Sequence, residues 1–146
     1  MKRLEQHEAE AVVVSCMDFR FNDGFEVAIS KLGVKKFDTL KLAGGARNLT
    51  SGEEKGRRGA IIADIKIAVD KHHVKKIVIL NHENCGKYAM LGKKFTDMAK
   101  EAEFHKKELA NAVRNTARLF KKVEVVAGFL RVNKNDDKLK IELVKI

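Results

Sequence analysis

The chain has 146 residues, of which 45% are hydrophobic and 34% charged, with a formal net charge of +10. This length accommodates one domain with a proper core, and the balance excludes a disordered chain. No apolar run approaches the ~18 residues of a membrane span, and the N-terminal MKRLEQHEAE is charged throughout and does not read as a secretory leader, so the expected location is cytoplasmic, with no membrane partner and no structural disulfide.

In chain order, residues 11–15, AVVVS, form a short β-branched run that reads as a buried strand. Residues 22–33, NDGFEVAISKLG, follow as a helix, with Asn22 or Asp23 as N-cap and Gly33 as its stop. KFDTLKLA is a second strand running into the loop GGARNLTSGEEKG. RRGAIIADIKIAVDKHH is a second helix that places Ile61, Ile65 and Ala68 on one face. VKKIVILN is a third buried strand. A short turn at NCGKYAML leads to a long helix, capped by Thr96 and ending near Lys121. VEVVAGFLRV and KLKIELVKI are two late strands joined by the turn NKNDD. The order β-α-β-α-β-α-β-β predicts an α/β fold: a mostly parallel sheet of about five strands flanked by helices, finished by an antiparallel hairpin, in one domain over 1–146.

In open α/β sheets, ligands bind beyond the carboxyl ends of the strands. Cys16 lies just past the first strand, and His82 and Cys85 lie just past the third. If those strands are parallel in one sheet, the three side chains meet at one rim. Two thiolates and an imidazole suit zinc, one ion per chain, with a fourth position left for water. The alternatives are two buried cysteines acting as small hydrophobes, or a redox pair of Cys16 and Cys85 outside any CxxC motif. Asp18 and Arg20 stand two and four residues after Cys16. They read either as a surface ion pair or helix-start charges, or as groups at the metal: Asp18 fills the fourth position itself, or Arg20 holds Asp18 off the metal so that the carboxylate accepts a hydrogen bond from water there.

CMDFR followed by HENCG resembles the β-class carbonic anhydrases, whose signature is CxDxR, then HxxCG. The Ala-Gly-Gly loop in LAGGARN and the closing strands of VAGFLRVNKNDDKLKIEL extend the likeness over nearly the whole chain, from about Ala11 to Val144. The resemblance implies zinc on Cys16, His82 and Cys85, gating of the fourth position by Asp18 and Arg20, and reversible hydration of CO2 to bicarbonate by zinc-bound hydroxide. It also implies a homodimer, with active sites lined from both subunits. Gly44, Gly45 and Gly86 are candidate substrate-binding positions where backbone approaches closely; their other reading is simple turn geometry.

Several positions depart from the family pattern. Phe19 stands where Ser is common, Asn81 where Gly usually precedes His, and Lys41 and Leu42 where Arg-Asn is common, with Arg47 and Asn48 after the glycines. The N-terminal helical arm is almost absent. The family also holds hydrolases of carbonyl sulfide and carbon disulfide, with which a more apolar pocket at Phe19 is compatible. A zinc-binding domain without turnover is the remaining alternative. Nucleic acid is not an expected partner, because the lysines are scattered among acids with one Tyr, no Trp and no basic run of five. The sequon Asn48–Thr50 is expected to be idle. His7 and His105 have no context in the sequence, His72 and His73 read as solvent-facing at a helix end, and Tyr88 as either site or core.

Overall fold

The computed structural model describes residues 7–135 and 138–145, with side chains as far as residue 132. Five strands form one sheet in the order β2-β1-β3-β4-β5. They are β1 (Ala11–Ser15), β2 (Phe37–Lys41), β3 (Lys76–His82), β4 (Glu124–Asn135) and β5 (Lys138–Lys145). The first four are mutually parallel, and β5 pairs antiparallel with β4, from Gly128↔Lys145 to Asn135↔Lys138. The expected hairpin turn at Asp136 and Asp137 lies outside the described residues.

The parallel centre follows from composition. Every residue of β1 is buried, and β3 is buried from Ile77 to His82, so both strands are covered on both faces. Val12 and Val14 pack with Ile77, Ile79, Ala127 and Phe129 against Ile61, Ile65 and Ala68 of α2 (Lys55–Lys71) and Leu109 and Ala112 of α4 (Met98–Leu119). Ala11 and Val13 pack with Val78, Leu80 and Leu130 on the opposite face, against Phe21 and against Phe25, Ala28 and Ile29 of α1 (Phe25–Ser30). Fully burying one Val or Ile is worth roughly 1.5–3 kcal/mol. β1 and β3 are therefore held far more firmly than β2, whose residues are half-buried or exposed. The two strands that lead into the cysteines are the rigid pair of the sheet.

The helix starts differ from expectation. α1 begins at Phe25 rather than at residue 22, because the Asp18 side chain accepts the Arg20 N–H and starts a separate 3-10 turn at Phe19–Phe21. Asn22 closes that turn, and Gly24 at φ 76° becomes the N-cap of α1, in place of Asn22 or Asp23. The N-cap of α4 is Asp97, not Thr96: its carboxylate accepts from the N–H groups of Ala99 and Lys100. β3 continues one residue past its expected end, so His82 closes the strand rather than following it. No helix among the described residues is long and apolar enough to cross a membrane.

Candidate metal centre

Because β1 and β3 are adjacent and parallel, their carboxyl ends meet. Cys16 follows Ser15 directly, His82 is the last residue of β3, and Cys85 is the N-cap of α3 (Gly86–Met90). The Sγ atoms of Cys16 and Cys85 lie 4.0 Å apart across 69 residues of sequence. With the His82 imidazole they form a cluster whose ligand atoms all lie within 4.8 Å of one another. Cys85 and His82 are buried and Cys16 is half-buried.

The imidazole is oriented by its other nitrogen. His82 Nδ1 donates to the Glu83 carbonyl at 2.7 Å, which leaves Nε2 buried without a hydrogen-bond partner. The Phe21 ring lies against it, with centroids 4.5 Å apart. Cys16 is held well below the ordinary thiol range, first by the hydrogen bond from Cys85, and further by His82 and the Gly44 N–H. Cys85 is pushed up, first by its hydrogen bond to Cys16 and then by burial. A buried, unpaired imidazole nitrogen beside such a pair fits a soft divalent cation.

Asp18 and Arg20 form a fork. Arg20 Nε donates to both carboxylate oxygens of Asp18, at 3.0 and 3.1 Å, and Nη2 donates to Oδ2 at 2.6 Å. Nη2 also donates to the Asn84 carbonyl at 3.0 Å, tying the dyad to the turn that carries His82 and Cys85. Asp18 Oδ2 is 3.8 Å from His82 Nε2. The Arg20 guanidinium holds the Asp18 carboxyl below the usual carboxylate range, chiefly by hydrogen bonding. The carboxylate thus faces the cluster while the arginine retains it.

The cluster opens into a groove of about 600 Å³ that includes Met17, Phe19, Gly86, Lys87 and Met90 in its lining. Three of these are large apolar side chains in the open: Met17 is 65% exposed, Phe19 80% and Met90 88%. Gly44 and Gly45 act through close packing. Gly45 has φ +46°, and a Cβ there would lie 2.2 Å from the backbone oxygen of Leu80. At Gly44, φ +86°, a Cβ would lie 2.7 Å from Cγ of Lys87. At Gly86 a Cβ would meet nothing within 4 Å. Asn48 is fully buried under this loop, where its amide donates to the carbonyls of Ala43 and Gly45. Arg47 donates to the Gly52 carbonyl.

Three polar residues that the sequence left without a role meet behind His82. Asn81 Oδ1 accepts from the Ala46 N–H at 2.9 Å, and its Nδ2 donates to the Tyr88 hydroxyl at 3.1 Å and to His105 Nδ1 at 3.0 Å. Tyr88 in turn donates to Glu108 at 3.1 Å. His105 is fully buried among Tyr88, Phe104 and Phe129. The signal was present in the spacing of α4. Glu101 and His105 precede Leu109 and Ala112 at steps of four, four and three, on the one stripe that packs against the sheet. His72, expected to face solvent, is half-buried instead, with Nδ1 2.6 Å from Asp38 Oδ2. The His7 ring lies against it, with centroids 4.7 Å apart.

Comparison with known proteins agrees with this architecture. The fold is similar to that of a β-carbonic anhydrase isoform from Trichomonas vaginalis, with a TM-score of 0.59 and 22% identity over 99% of this chain and 87% of that one. It is similar also to a Coccomyxa β-carbonic anhydrase determined with acetazolamide, with a TM-score of 0.54 and 9% identity over 97% and 75% of the two chains. An uncharacterized protein of Rickettsia bellii is 34% identical over 110 residues, covering 73% of this chain and 66% of its own length. Another from Rickettsia conorii is 33% identical over 86 residues, covering 58% and 46%. The chain therefore spans about two thirds of the first relative and under half of the second. A family model described as "Putative carbonic anhydrase" matches residues 6–145. That match takes in almost the entire sequence, both halves of the cysteine–histidine cluster included, and the chain belongs to this carbonic anhydrase family.

Proposed function

We propose that the chain is a zinc enzyme that hydrates CO2 reversibly to bicarbonate, acting as one β-carbonic-anhydrase-like domain in a reducing, cytoplasmic setting that keeps both thiols free. The observation that carries the reading is the buried His82 Nε2, unpartnered and turned toward two sulfurs that are 4.0 Å apart. Cys16, His82 and Cys85 would hold the ion. Zinc in such a donor set supplies Lewis acidity, which lowers the pKa of water and makes a nucleophile at neutral pH.

The chain's own residues do the rest. The two thiolates balance the charge of the cation, and the Glu83 carbonyl fixes the ring of His82. The Asp18 carboxylate accepts a hydrogen bond from water, orienting it, while the Arg20 fork keeps that carboxylate ionised and holds it off the ligand set. Met17, Phe19 and Met90 give the small apolar substrate an apolar approach, and Lys87 adds a positive charge to the groove by which an anionic product leaves.

The same apolar rim supports two further readings. Exposure of this extent on three large side chains fits burial against a second copy of the chain, so we infer a homodimer. The apolar lining also favours, as a second reading, hydrolysis of carbonyl sulfide or carbon disulfide. Stopped-flow CO2 hydration by zinc-loaded protein, with a parallel carbonyl sulfide assay, tests both. Proton release on mixing with CO2 is expected. Sulfide release alone would transfer the assignment to the hydrolase, and zinc binding with neither reaction would remove turnover altogether.

A further inference from the structure

The turn from His82 to Cys85 carries two of the three ligand residues, and its three peptide groups are all engaged. The Glu83 N–H donates to the Leu130 carbonyl at 3.0 Å. The next peptide joins Glu83 to Asn84. Its carbonyl accepts from His82 Nδ1 at 2.7 Å, and its N–H donates to Glu101 Oε1 at 2.5 Å. The peptide after that offers the Asn84 carbonyl to Arg20 at 3.0 Å. Asn84 holds φ 51°, a left-handed conformation that asparagine tolerates better than most residues.

A peptide group is planar, so its N–H and C=O point in opposite directions from one rigid plate. Whatever fixes the Asn84 N–H also fixes the Glu83 carbonyl, and through it the ring of His82. The carboxylate of Glu101 does this from α4, through a short charge-assisted bond. Hydrogen bonds in series polarise one another. The Glu101 charge therefore also strengthens the Glu83 carbonyl as an acceptor for His82. A carboxylate that acts directly on a ligating histidine is a common arrangement; here one peptide unit stands between them.

No ion pair with a lysine or arginine among the described residues explains the burial of Glu101, although its place in the first turn of α4 favours an acid there. The residue is 9% exposed. Its neighbour on the helix is His105, whose Nε2 is 3.8 Å from the same oxygen. His105 is held down to about 4, first by burial, so it is neutral near pH 7. With Nδ1 accepting from Asn81, its proton sits on Nε2, facing Glu101. Burying a carboxylate with no cation partner costs free energy that a leucine would avoid.

We propose that Glu101 is a positioning residue for the metal centre: its carboxylate clamps the peptide between Glu83 and Asn84, and so aims His82 Nε2 at Cys16 and Cys85 and presents the Asn84 carbonyl to Arg20. The inference rests on the metal site proposed above, and its test has one arm that needs no metal.

In metal-free protein, long-range ¹H–¹⁵N correlations report the tautomer of His82, and the amide proton of Asn84 reports its acceptor. Wild type should show His82 protonated at Nδ1 and a strongly downfield Asn84 amide. Glu101→Ala should lose the tautomer preference, and in competition with a chromophoric chelator its Zn²⁺ affinity should fall roughly 10- to 100-fold. Glu101→Gln keeps an acceptor without the charge. It should recover part of the affinity and move the Asn84 amide upfield. Glu108→Gln removes a carboxylate from the same helix, one bonded to Tyr88 rather than to the turn, and should leave Zn²⁺ affinity unchanged. The proposal is overturned if Glu101→Ala keeps both the His82 tautomer and wild-type affinity, or if the Asn84 amide does not move in Glu101→Gln. If Glu101→Ala does not fold, the Asn84 shift in Glu101→Gln decides. Wild type that binds no Zn²⁺ would end the metal reading instead, and the tautomer would still decide the clamp.

Discussion

Asn81→Leu puts an apolar side chain of similar size at a position that is 2% exposed. The substitution removes three hydrogen bonds, to Ala46, Tyr88 and His105, whose residues are all buried. Tyr88 still donates to Glu108 and loses little. The Ala46 N–H and His105 Nδ1 have no alternative partner in view and are orphaned away from water. Each orphan costs roughly 1–3 kcal/mol, about 2–6 kcal/mol together. Burying leucine offsets roughly 1.5 kcal/mol of this. A net loss near 3 kcal/mol is expected, which in a chain of this length lowers the melting temperature by roughly 8–12 °C. Urea unfolding followed by far-UV circular dichroism, with chelator present so that metal plays no part, measures it directly. A loss below about 0.5 kcal/mol, the size of an ordinary surface substitution, would show that the network behind His82 is not a set of satisfied buried groups.

Four further outcomes are expected. Cys85→Ala removes one of the two sulfurs, and metal analysis of the purified variant should find most of the zinc gone; full retention would refute the ligand assignment. Arg20→Ala should keep zinc but slow CO2 hydration roughly 10- to 100-fold, because Asp18 is freed from its fork. The folded Asp18 carboxyl lies below its unfolded value, so its contribution to stability is present above roughly pH 4 and is lost as the pH falls through the lowered value. The stability gap between wild type and Arg20→Ala should accordingly be open at neutral pH and close in strong acid; a gap unchanged by acid would contradict the pairing. Gly45→Ala combines a left-handed φ with a Cβ that would lie 2.2 Å from a backbone oxygen of β3, and chemical denaturation should register a loss above about 3 kcal/mol. Wild-type stability there would mean that the loop can shift off the strand.

The strands were legible in the sequence because AVVVS and IVIL are short, β-branched and apolar on both faces, which only a covered parallel sheet explains. The cysteine–histidine cluster was legible for the same reason: two strand ends in one sheet have few places to go. Helix starts were not. Asn22, Asp23 and Thr96 are all good caps in isolation. The outcome was decided by Asp18 turning back on its own loop and by Asp97 standing one residue nearer the helix. The residues behind His82 were missed because each is unremarkable alone. Asn81, Tyr88, His105 and Glu101 come from three elements and acquire meaning only when α4 is laid against β3. The glycines read as substrate positions divide similarly: Gly86 lines the groove, while the crowding at Gly44 and Gly45 comes from Lys87 and Leu80, which are distant in sequence.

The placement of β1 between β2 and β3 has a kinetic consequence. Cys16 is synthesised early, yet its partner sulfur arrives 69 residues later, and the two meet only when the parallel β1–β3 pairing has formed. Pairings of this range form slowly, and the cluster can close only once this one has formed, so it is expected late in folding rather than early. An ion held there would stabilise contacts that are absent at the folding barrier. Saturating Zn²⁺ should then slow unfolding while leaving the refolding rate nearly unchanged. Refolding accelerated in proportion to Zn²⁺ affinity would instead put the cysteine–histidine cluster in the folding nucleus.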